Sequence, residues 1–140
     1  LEAIKDMLRL PGRPLSIGAF DVSTTGGTAS VGAFIFWEGG HFRKELYRFV
    51  HIRSVKGTND YAMMGETLER LLHNLSGTLP DIIIIDGGRG HLETALSAVR
   101  RAGLANPPAV AALAKDPDRL FTEGGSVIDI SNSMPSSLLL

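Results

Sequence analysis

Four consecutive isoleucines constrain the fold of this 140-residue chain more than any other feature. Residues 82–85 show no alternation of apolar and polar side chains, and Asp86 and the pair Gly87-Gly88 follow them directly. Strands that are apolar on both sides are typical of parallel sheets, in which both faces are covered. The sequence therefore predicts a parallel strand inside an α/β sheet, with Asp86 at its carboxyl end.

Three strands are predicted ahead of this one. Residues 15–22 form an apolar segment that ends near Asp21, and residues 29–38 follow a period-two pattern. Gly39-Gly40 is a hairpin signal, and a third strand is expected from residue 41 to residue 52. Tight turns between successive strands indicate an antiparallel meander.

Two amphipathic helices and a second apolar strand complete the predicted order. The first helix can be capped by Thr58 or Asn59 and presents one apolar face, and the second is expected to end at Gly103. Residues 109–114 form another fully apolar strand, and no regular structure is predicted beyond Lys115. The order β-β-β-α-β-α-β predicts an α/β fold with a mixed sheet, helices on both faces and a final helix missing.

Composition restricts the chemistry that the chain can perform. The chain contains no cysteine, which excludes a disulfide scaffold, a cysteine nucleophile and a thiolate zinc site. No signal peptide is visible, and no apolar run approaches the ~18–20 residues of a membrane span. We expect a piece of a longer soluble, cytoplasmic protein, with a linker helix over residues 1–15, one domain over 16–130 and a truncated segment over 131–140.

Asp21 and Asp86 are the residues that the predicted topology brings together. Each follows an apolar strand, and parallel neighbours end at the same edge of a sheet, where open α/β sheets place ligands. Two carboxylates at that edge repel each other unless a cation or a shared proton lies between them. Mg²⁺ and Mn²⁺ prefer such oxygen ligands. The structural alternatives are a turn cap for Asp21 and a helix cap for Asp86.

Glu66 is the third candidate carboxylate. It lies at the border of the apolar face of the first predicted helix, two residues after Met64 and two before Leu68. From there it can reach the strand ends as a further oxygen ligand. The alternative is an exposed side chain paired with Arg70, which would contribute about 0.3–0.5 kcal/mol.

The glycine-rich turn over residues 87–90 is a candidate anion site. It follows a strand and opens a helix, so its backbone N–H groups can bind phosphate, and Arg89 can add a charge-assisted contact. His91 begins the second helix close to Asp86 and is a further site candidate. The same turn also fits an adenosylmethionine-dependent methyltransferase, which leaves that function open.

Several segments together resemble the C-terminal endonuclease domain of UvrC, the nuclease subunit of the bacterial UvrABC excision repair system. Residues 19–23 with Gly26 are similar to its FDISHxxG motif, and residues 84–91 to its IDGGKGQ motif. Residues 57–66 look like its GDDYAxMxE segment. The shorter similarities are Arg48-Phe49 to the end of its YRRF strand, residues 112–115 to its LAK motif, and Leu120-Phe121 to its IF motif. The resemblance runs from about residue 16 to the C-terminus in the order of the family.

The resemblance implies an RNase H-like fold and a metal-dependent nuclease that makes the 5′ incision beside a DNA lesion in nucleotide excision repair. It matches Asp21 and Asp86 to the two catalytic aspartates of the family, which would hold one or two Mg²⁺ or Mn²⁺ ions, and Glu66 to an acidic helix position of related nucleases. The expected partners are lesion-containing DNA and UvrB, with UvrA acting upstream, through regions outside this chain. The residues expected to contact the DNA backbone are Arg48, Lys56 and Arg89, from a basic stretch over 41–56 and from the glycine turn.

Three positions depart from the family pattern. Thr24 stands in place of a histidine, Asn59 in place of an aspartate and His91 in place of a glutamine. The third catalytic residue of the family, a histidine in a DEAHRFA segment, would follow Leu140, so this chain alone is expected to cleave weakly or not at all. These departures keep open a non-catalytic module that binds DNA or a protein partner.

Overall fold

The computed structural model describes residues 12, 14–25, 29–53, 60–75, 77–115, 118–125 and 127–129. Within these residues, one mixed sheet contains every strand. Its first half is antiparallel: β1 (Ser16–Thr25) pairs with β2 (Ala29–Glu38) along their whole length. β3 (His41–Phe42) and β4 (Arg48–Arg53) then pair with two successive parts of β2.

The second half of the sheet begins with the isoleucine strand. β5 (Ile82–Asp86) runs parallel to β1 on one side and to β6 (Ala109–Ala114) on the other. β7 (Arg119–Thr122) and β8 (Val127–Asp129) continue from β6 as antiparallel strands. The order across the sheet is β3-β2-β1-β5-β6-β7-β8, with β4 beside β2. The predicted interior parallel strand and the mixed sheet are therefore confirmed.

Both described helices lie on the same face of the sheet. The apolar side of α1 (Asp60–Asn74) and that of α2 (Arg89–Ala102) pack against one core, together with Phe20, Ile83 and Ile85. The prediction of helices on both faces is wrong for this part of the chain. The two crossovers, β4 to β5 and β5 to β6, advance in the same direction across the sheet, and right-handed crossovers then place both helices on one side.

The predicted third strand is divided. A 3₁₀ helix at Lys44–Leu46 separates β3 from β4. Arg43 still donates its backbone N–H to Phe36 O of β2 at 2.8 Å. Its guanidinium pairs with Glu38 of β2 and with Glu45, so it joins the 3₁₀ helix to β2 at the point where the third strand is interrupted. The alternation of side chains in this segment does not predict the 3₁₀ helix, because the ion pairs that hold it depend on Arg43 and its particular partners.

Two strand ends also differ from the prediction. β1 continues to Thr25, so Asp21 lies within the strand and not at its end, because the ladder with β2 extends through the pairs Thr24–Ser30 and Thr25–Ala29. Beyond Lys115 the chain forms β7 and β8, where no regular structure was predicted. Leu120 and Phe121 are buried there, so two apolar side chains are enough to anchor a short hairpin to the sheet.

The predicted linker helix in residues 1–15, the cap at Thr58 or Asn59, Lys56 and the segment 131–140 lie outside the described residues, apart from Gly12, Pro14 and Leu15. α1 buries Met64, Leu68 and Leu72 as predicted, whereas Tyr61 is exposed. α2 ends at Gly103, whose φ of +63° confirms the predicted left-handed C-cap. No helix among the described residues is long and apolar enough to cross a membrane.

Candidate nuclease site

Asp21 and Asp86 meet on the face of the sheet that the described helices leave uncovered. Phe20 of β1 stands opposite Ile85 of β5 in parallel register, so the residues that follow them are neighbours. Because side chains alternate between the faces of a strand, Asp21 and Asp86 point away from the helix side, to which Phe20 and Ile85 point. The structure brings the two predicted carboxyls together.

An open cavity of about 550 Å³ contains both carboxyls. Its floor is the uncovered face of β1, β2 and β5, and its polar lining comes from four charged side chains. The lining residues are Ala19, Phe20, Asp21, Ala33, Ile35, Phe42, Ile84, Asp86, Leu113, Lys115 and Asp118. An acidic pair on an apolar floor, open to solvent, can admit a small cation together with an extended anion.

The surroundings of Asp21 include the charge of Asp86. Burial is the first cause that raises the pKa of Asp21 above its ordinary value, and the charge of Asp86 and a side-chain hydrogen bond with it raise this pKa further. A hydrogen bond with the Val22 backbone and the positive charge of Lys115 act in the opposite direction. The pair therefore favours a shared proton or a cation between its oxygens, as the sequence predicts for adjacent carboxylates.

The donor set fits Mg²⁺ or Mn²⁺. Both ions prefer carboxylate oxygens, and Mg²⁺ in particular is commonly held by one or two carboxylates with water and substrate oxygens as its other ligands. Among the described residues no group of three or more histidine, cysteine, aspartate and glutamate side chains could hold a metal ion. Asp21 and Asp86 are neighbours on adjacent strands, and two such carboxylates can hold one of these ions when water and substrate supply its other ligands.

Glu66 is not part of this arrangement. It is exposed on α1, which packs on the opposite face of the sheet, and it does not line the cavity. The helix sequence placed Glu66 at the border of the apolar face, and in the structure its side chain is exposed. The face of the sheet on which α1 lies, however, follows from the crossover geometry and not from the helix sequence.

Two arginines of the basic stretch, Arg43 and Arg48, are engaged within the protein, Arg43 with nearby acids and Arg48 with backbone oxygens. The Arg48 guanidinium donates to Tyr47 O at 2.9 Å and to Glu45 O at 3.1 Å. Arg48 stands opposite Phe34, whose ring is in the core beneath the helices, so it belongs to the helix side of the sheet. The structure does not bring Arg48 to the carboxyl pair.

Arg89 lies just after the glycine turn and is anchored to the β7–β8 hairpin. Its guanidinium donates to Gly125 O at 3.3 Å and lies 5.3 Å from the centre of the Phe121 ring. Arg119 approaches the same ring at 5.5 Å. Arg89 remains exposed, so it combines a structural contact with a charge at the edge of the sheet next to Asp86.

His91 closes the glycine turn and does not face the cavity. Its Nδ1 accepts a hydrogen bond from the Gly88 N–H at 3.3 Å, and its ring contacts that of Tyr61 with 5.0 Å between their centres. This contact satisfies a backbone donor at the start of α2, which is the role of the N3 side chain in a capping box. His91 stands where the family has a glutamine, which can accept the same bond.

We expect the His91→Ala variant to lose about 0.5–2 kcal/mol of the free energy of unfolding, because the Gly88 N–H loses its acceptor. His91→Gln should remain close to the native value because the amide oxygen can replace Nδ1. Urea unfolding of the two variants measures the difference. Equal losses in both would show that the ring contact with Tyr61 matters and the hydrogen bond does not.

Sequence reasoning missed two residues of the cavity, Lys115 and Asp118. Lys115 directly follows β6, the next parallel strand after β5, and that position was the available signal. Leu113 stands opposite Asp86 in the register of β5 and β6, so Lys115 lies beyond the carboxyl pair along the same edge. Asp118 comes to the cavity through the turn into β7, which was not predicted.

Comparison with known proteins identifies the family of this chain. The family model described as "UvrC RNAse H endonuclease domain" matches residues 5–139. UvrABC system protein C of Dechloromonas aromatica is 33% identical over 150 residues, which cover 100% of this chain and 25% of that protein. UvrABC system protein C of Deinococcus radiodurans is 39% identical over 127 residues, which cover 89% of this chain and 20% of that protein. The chain thus spans about a quarter or less of these curated relatives.

Solved structures show the same fold at low sequence identity. Endonuclease V of Ciona intestinalis, in complex with an inosine-containing DNA, superposes with a TM-score of 0.52 at 15% identity, over 74% of this chain and 47% of that chain. Human ENDOV superposes with a TM-score of 0.51 at 14% identity, over 74% and 46%. The fold is RNase H-like. With the match of the family model over nearly its whole length, this chain belongs to the UvrC RNase H endonuclease domain family.

Proposed function

We propose that this domain hydrolyses phosphodiester bonds of DNA with Mg²⁺ or Mn²⁺ held by Asp21 and Asp86. The observation that carries the proposal is the adjacent position of these carboxyls in an open cavity, where burial and then the charge of Asp86 raise the pKa of Asp21. A cation between them would remove the repulsion. Membership of an endonuclease family supports the same activity.

The residues of the cavity have separate roles in this proposal. A bound cation supplies a water of lowered pKa and stabilises the charge of the phosphate. Asp21 is held by the central strand β1 and Asp86 by β5, so the two ligands are fixed by the ladder between these strands. Hydrolysis forms one bond from a water oxygen to phosphorus, breaks one phosphorus–oxygen ester bond and leaves the departing oxygen protonated.

The structure supports some of the three proposed DNA contacts better than others. Arg89 is exposed beside the turn that follows Asp86 and can bind a backbone phosphate without reading sequence. Arg48 already donates to two carbonyl oxygens, and that weakens its case. Lys56 lies outside the described residues and stays a prediction.

We also propose that the protein makes the 5′ incision beside a lesion in nucleotide excision repair. The curated relatives are UvrABC system proteins, and they are four to five times longer than the matched region. Cooperation with UvrB, after UvrA, would then use parts of such longer chains. We place this activity in the cytoplasm because the DNA substrate lies there.

The methyltransferase alternative loses its main support. A side-chain carbon added at Gly87 would lie 2.4 Å from the His91 ring, and one at Gly90 would lie 2.8 Å from the Tyr61 hydroxyl. Gly87 and Gly90 thus accommodate the protein's own side chains and do not form an empty cradle for a ligand, and open space is left at Gly88 alone among these three glycines. A non-catalytic module that binds DNA remains as an outcome of the test below.

The proposal is tested by nicking of a lesion-containing duplex, labelled at one end, by the complete protein with UvrA and UvrB. We expect a 5′ incision that needs Mg²⁺ or Mn²⁺ and is lost in EDTA. Thermal shift measured with Mn²⁺ and with adenosylmethionine should show stabilisation by the metal alone. Binding of the duplex without incision under all metal conditions would favour the non-catalytic module.

A further inference from the structure

Lys115 is the cationic side chain among the residues that line the cavity of Asp21 and Asp86. It follows β6 immediately, is exposed and lines the same cavity as Asp21 and Asp86. Three strand segments, β1, β5 and β6, thus contribute one charged residue each to one cavity. No salt bridge within 4 Å joins Lys115 to an acidic residue of the described chain, where the ion pairs are those of Arg43 and Arg101.

The charge balance of the cavity explains why a lysine is useful there. Asp21, Asp86 and Asp118 make the lining acidic, so an anionic phosphate that approaches it is repelled unless positive charge is supplied. A divalent ion between Asp21 and Asp86 supplies part of that charge on one side. Lys115 lies close enough for its charge to lower the pKa of Asp21, and it provides a second positive group beyond the ion site.

We propose that Lys115 is a catalytic residue whose ammonium binds a non-bridging oxygen of the scissile phosphate. This inference rests on the proposed nuclease function and identifies a residue that contacts the substrate in it. A lysine ammonium is a compact point charge that can donate to an oxygen from several directions. As water adds to phosphorus, negative charge grows on the non-bridging oxygens, and a fixed cation at that place stabilises the transition state more than the substrate.

The first test measures contact with phosphate without cleavage. In EDTA, binding of a DNA duplex is measured at several salt concentrations for the native protein, Lys115→Met and Lys115→Arg. Loss of one phosphate contact should reduce the slope of log Kd against log salt by about 0.9, and Lys115→Arg should keep the native slope. The matched control is Arg100→Met, which removes an exposed cation at the far end of α2.

The second test measures catalysis in the complete protein with its Mn²⁺ or Mg²⁺. Lys115→Met should lower kcat about 10²–10³-fold, as loss of a charge-stabilising donor does in other enzymes, while the Mn²⁺-induced thermal shift persists. Lys115→Arg should recover part of kcat, and Arg100→Met should leave kcat and the salt slope unchanged.

Two results would overturn the inference. An unchanged salt slope in Lys115→Met means that the lysine does not touch phosphate. A fall in kcat that occurs together with loss of the Mn²⁺ shift means that Lys115 only adjusts the charge of the metal site. Failure of the proposed function looks different, since the native protein itself would then neither bind Mn²⁺ nor cleave.

Discussion

Asp21→Asn is expected to abolish cleavage and, at the same time, to make the metal-free protein more stable. The amide retains the shape of the carboxyl and removes one of the two charged ligands of the proposed metal. We expect kcat to fall about 10³-fold or more, which corresponds to about 4 kcal/mol of transition-state stabilisation. The nicking assay with Mn²⁺ measures this loss, and circular dichroism checks that the fold is retained.

The gain in stability follows from the sign of the pKa shift. The pKa of Asp21 in the folded protein is raised above its ordinary value of 3.8. Between pH 3.8 and this raised pKa, the folded protein therefore binds more protons than the unfolded chain. The free energy of unfolding therefore falls as pH rises through that window and stays lower above it. Asp21→Asn removes the repulsion, and the Tm in EDTA at neutral pH should rise by about 1–3 °C, a small amount because solvent screens an exposed carboxyl.

In Mn²⁺ the native protein should have a higher Tm than Asp21→Asn, the reverse of the order expected in EDTA. The native protein gains stability from a ligand that binds only its folded state, whereas Asp21→Asn should gain little. The matched control is Glu93→Gln, which removes an exposed carboxylate on the helix side and should retain cleavage and the Mn²⁺ shift. A variant at Asp21 that still makes the 5′ incision would contradict the assignment of the site.

Gly87→Ala is expected to cause the largest loss of stability among single substitutions in the turn. Gly87 has a φ of +149°, which side chains of L-residues rarely adopt, and an added Cβ would lie 2.4 Å from the His91 ring. The strained backbone and the displaced histidine, with its bond to the Gly88 N–H, should together lower the free energy of unfolding by about 2–4 kcal/mol. Because Asp86 precedes this turn, kcat should fall as well. Urea unfolding and the nicking assay measure both effects.

Gly88→Ala is the matched control for this substitution. Gly88 has a φ of −105°, and an added Cβ would meet no atom within 4 Å, so we expect a loss of about 1 kcal/mol or less from the poorer N-cap. The His91 Cβ lies 2.9 Å from the added Cβ, so only a glycine at position 91 removes the whole clash. The double variant Gly87→Ala with His91→Gly, compared with His91→Gly alone, retains the backbone strain and therefore separates the two causes. Similar free energies of unfolding for Gly87→Ala and Gly88→Ala would show that the turn accommodates a side chain at position 87 without loss of stability.

Much of the fold could be predicted because its signals are local. The isoleucine strand, the apolar faces of α1 and α2 and the glycine that ends α2 depend on side-chain periodicity or on one backbone conformation. The division of the third strand could not be predicted, since the 3₁₀ helix that interrupts it is held by contacts of Arg43 and Arg48 with particular partners. The hairpin of β7 and β8 was missed because Leu120 and Phe121 form too short an apolar pattern to indicate a strand.

The candidate site also has a part that the sequence predicted and a part that only the tertiary structure shows. By itself the sequence placed Asp21 and Asp86 at the carboxyl side of two apolar strands, and it predicted that they meet if those strands are parallel neighbours, which they are. Only the tertiary structure decided that Glu66 lies on the opposite face, that His91 caps its own helix and that Lys115 shares the cavity of the two aspartates. These outcomes depend on the direction of the crossovers and on the register between strands distant in sequence, and no local pattern of residues encodes either.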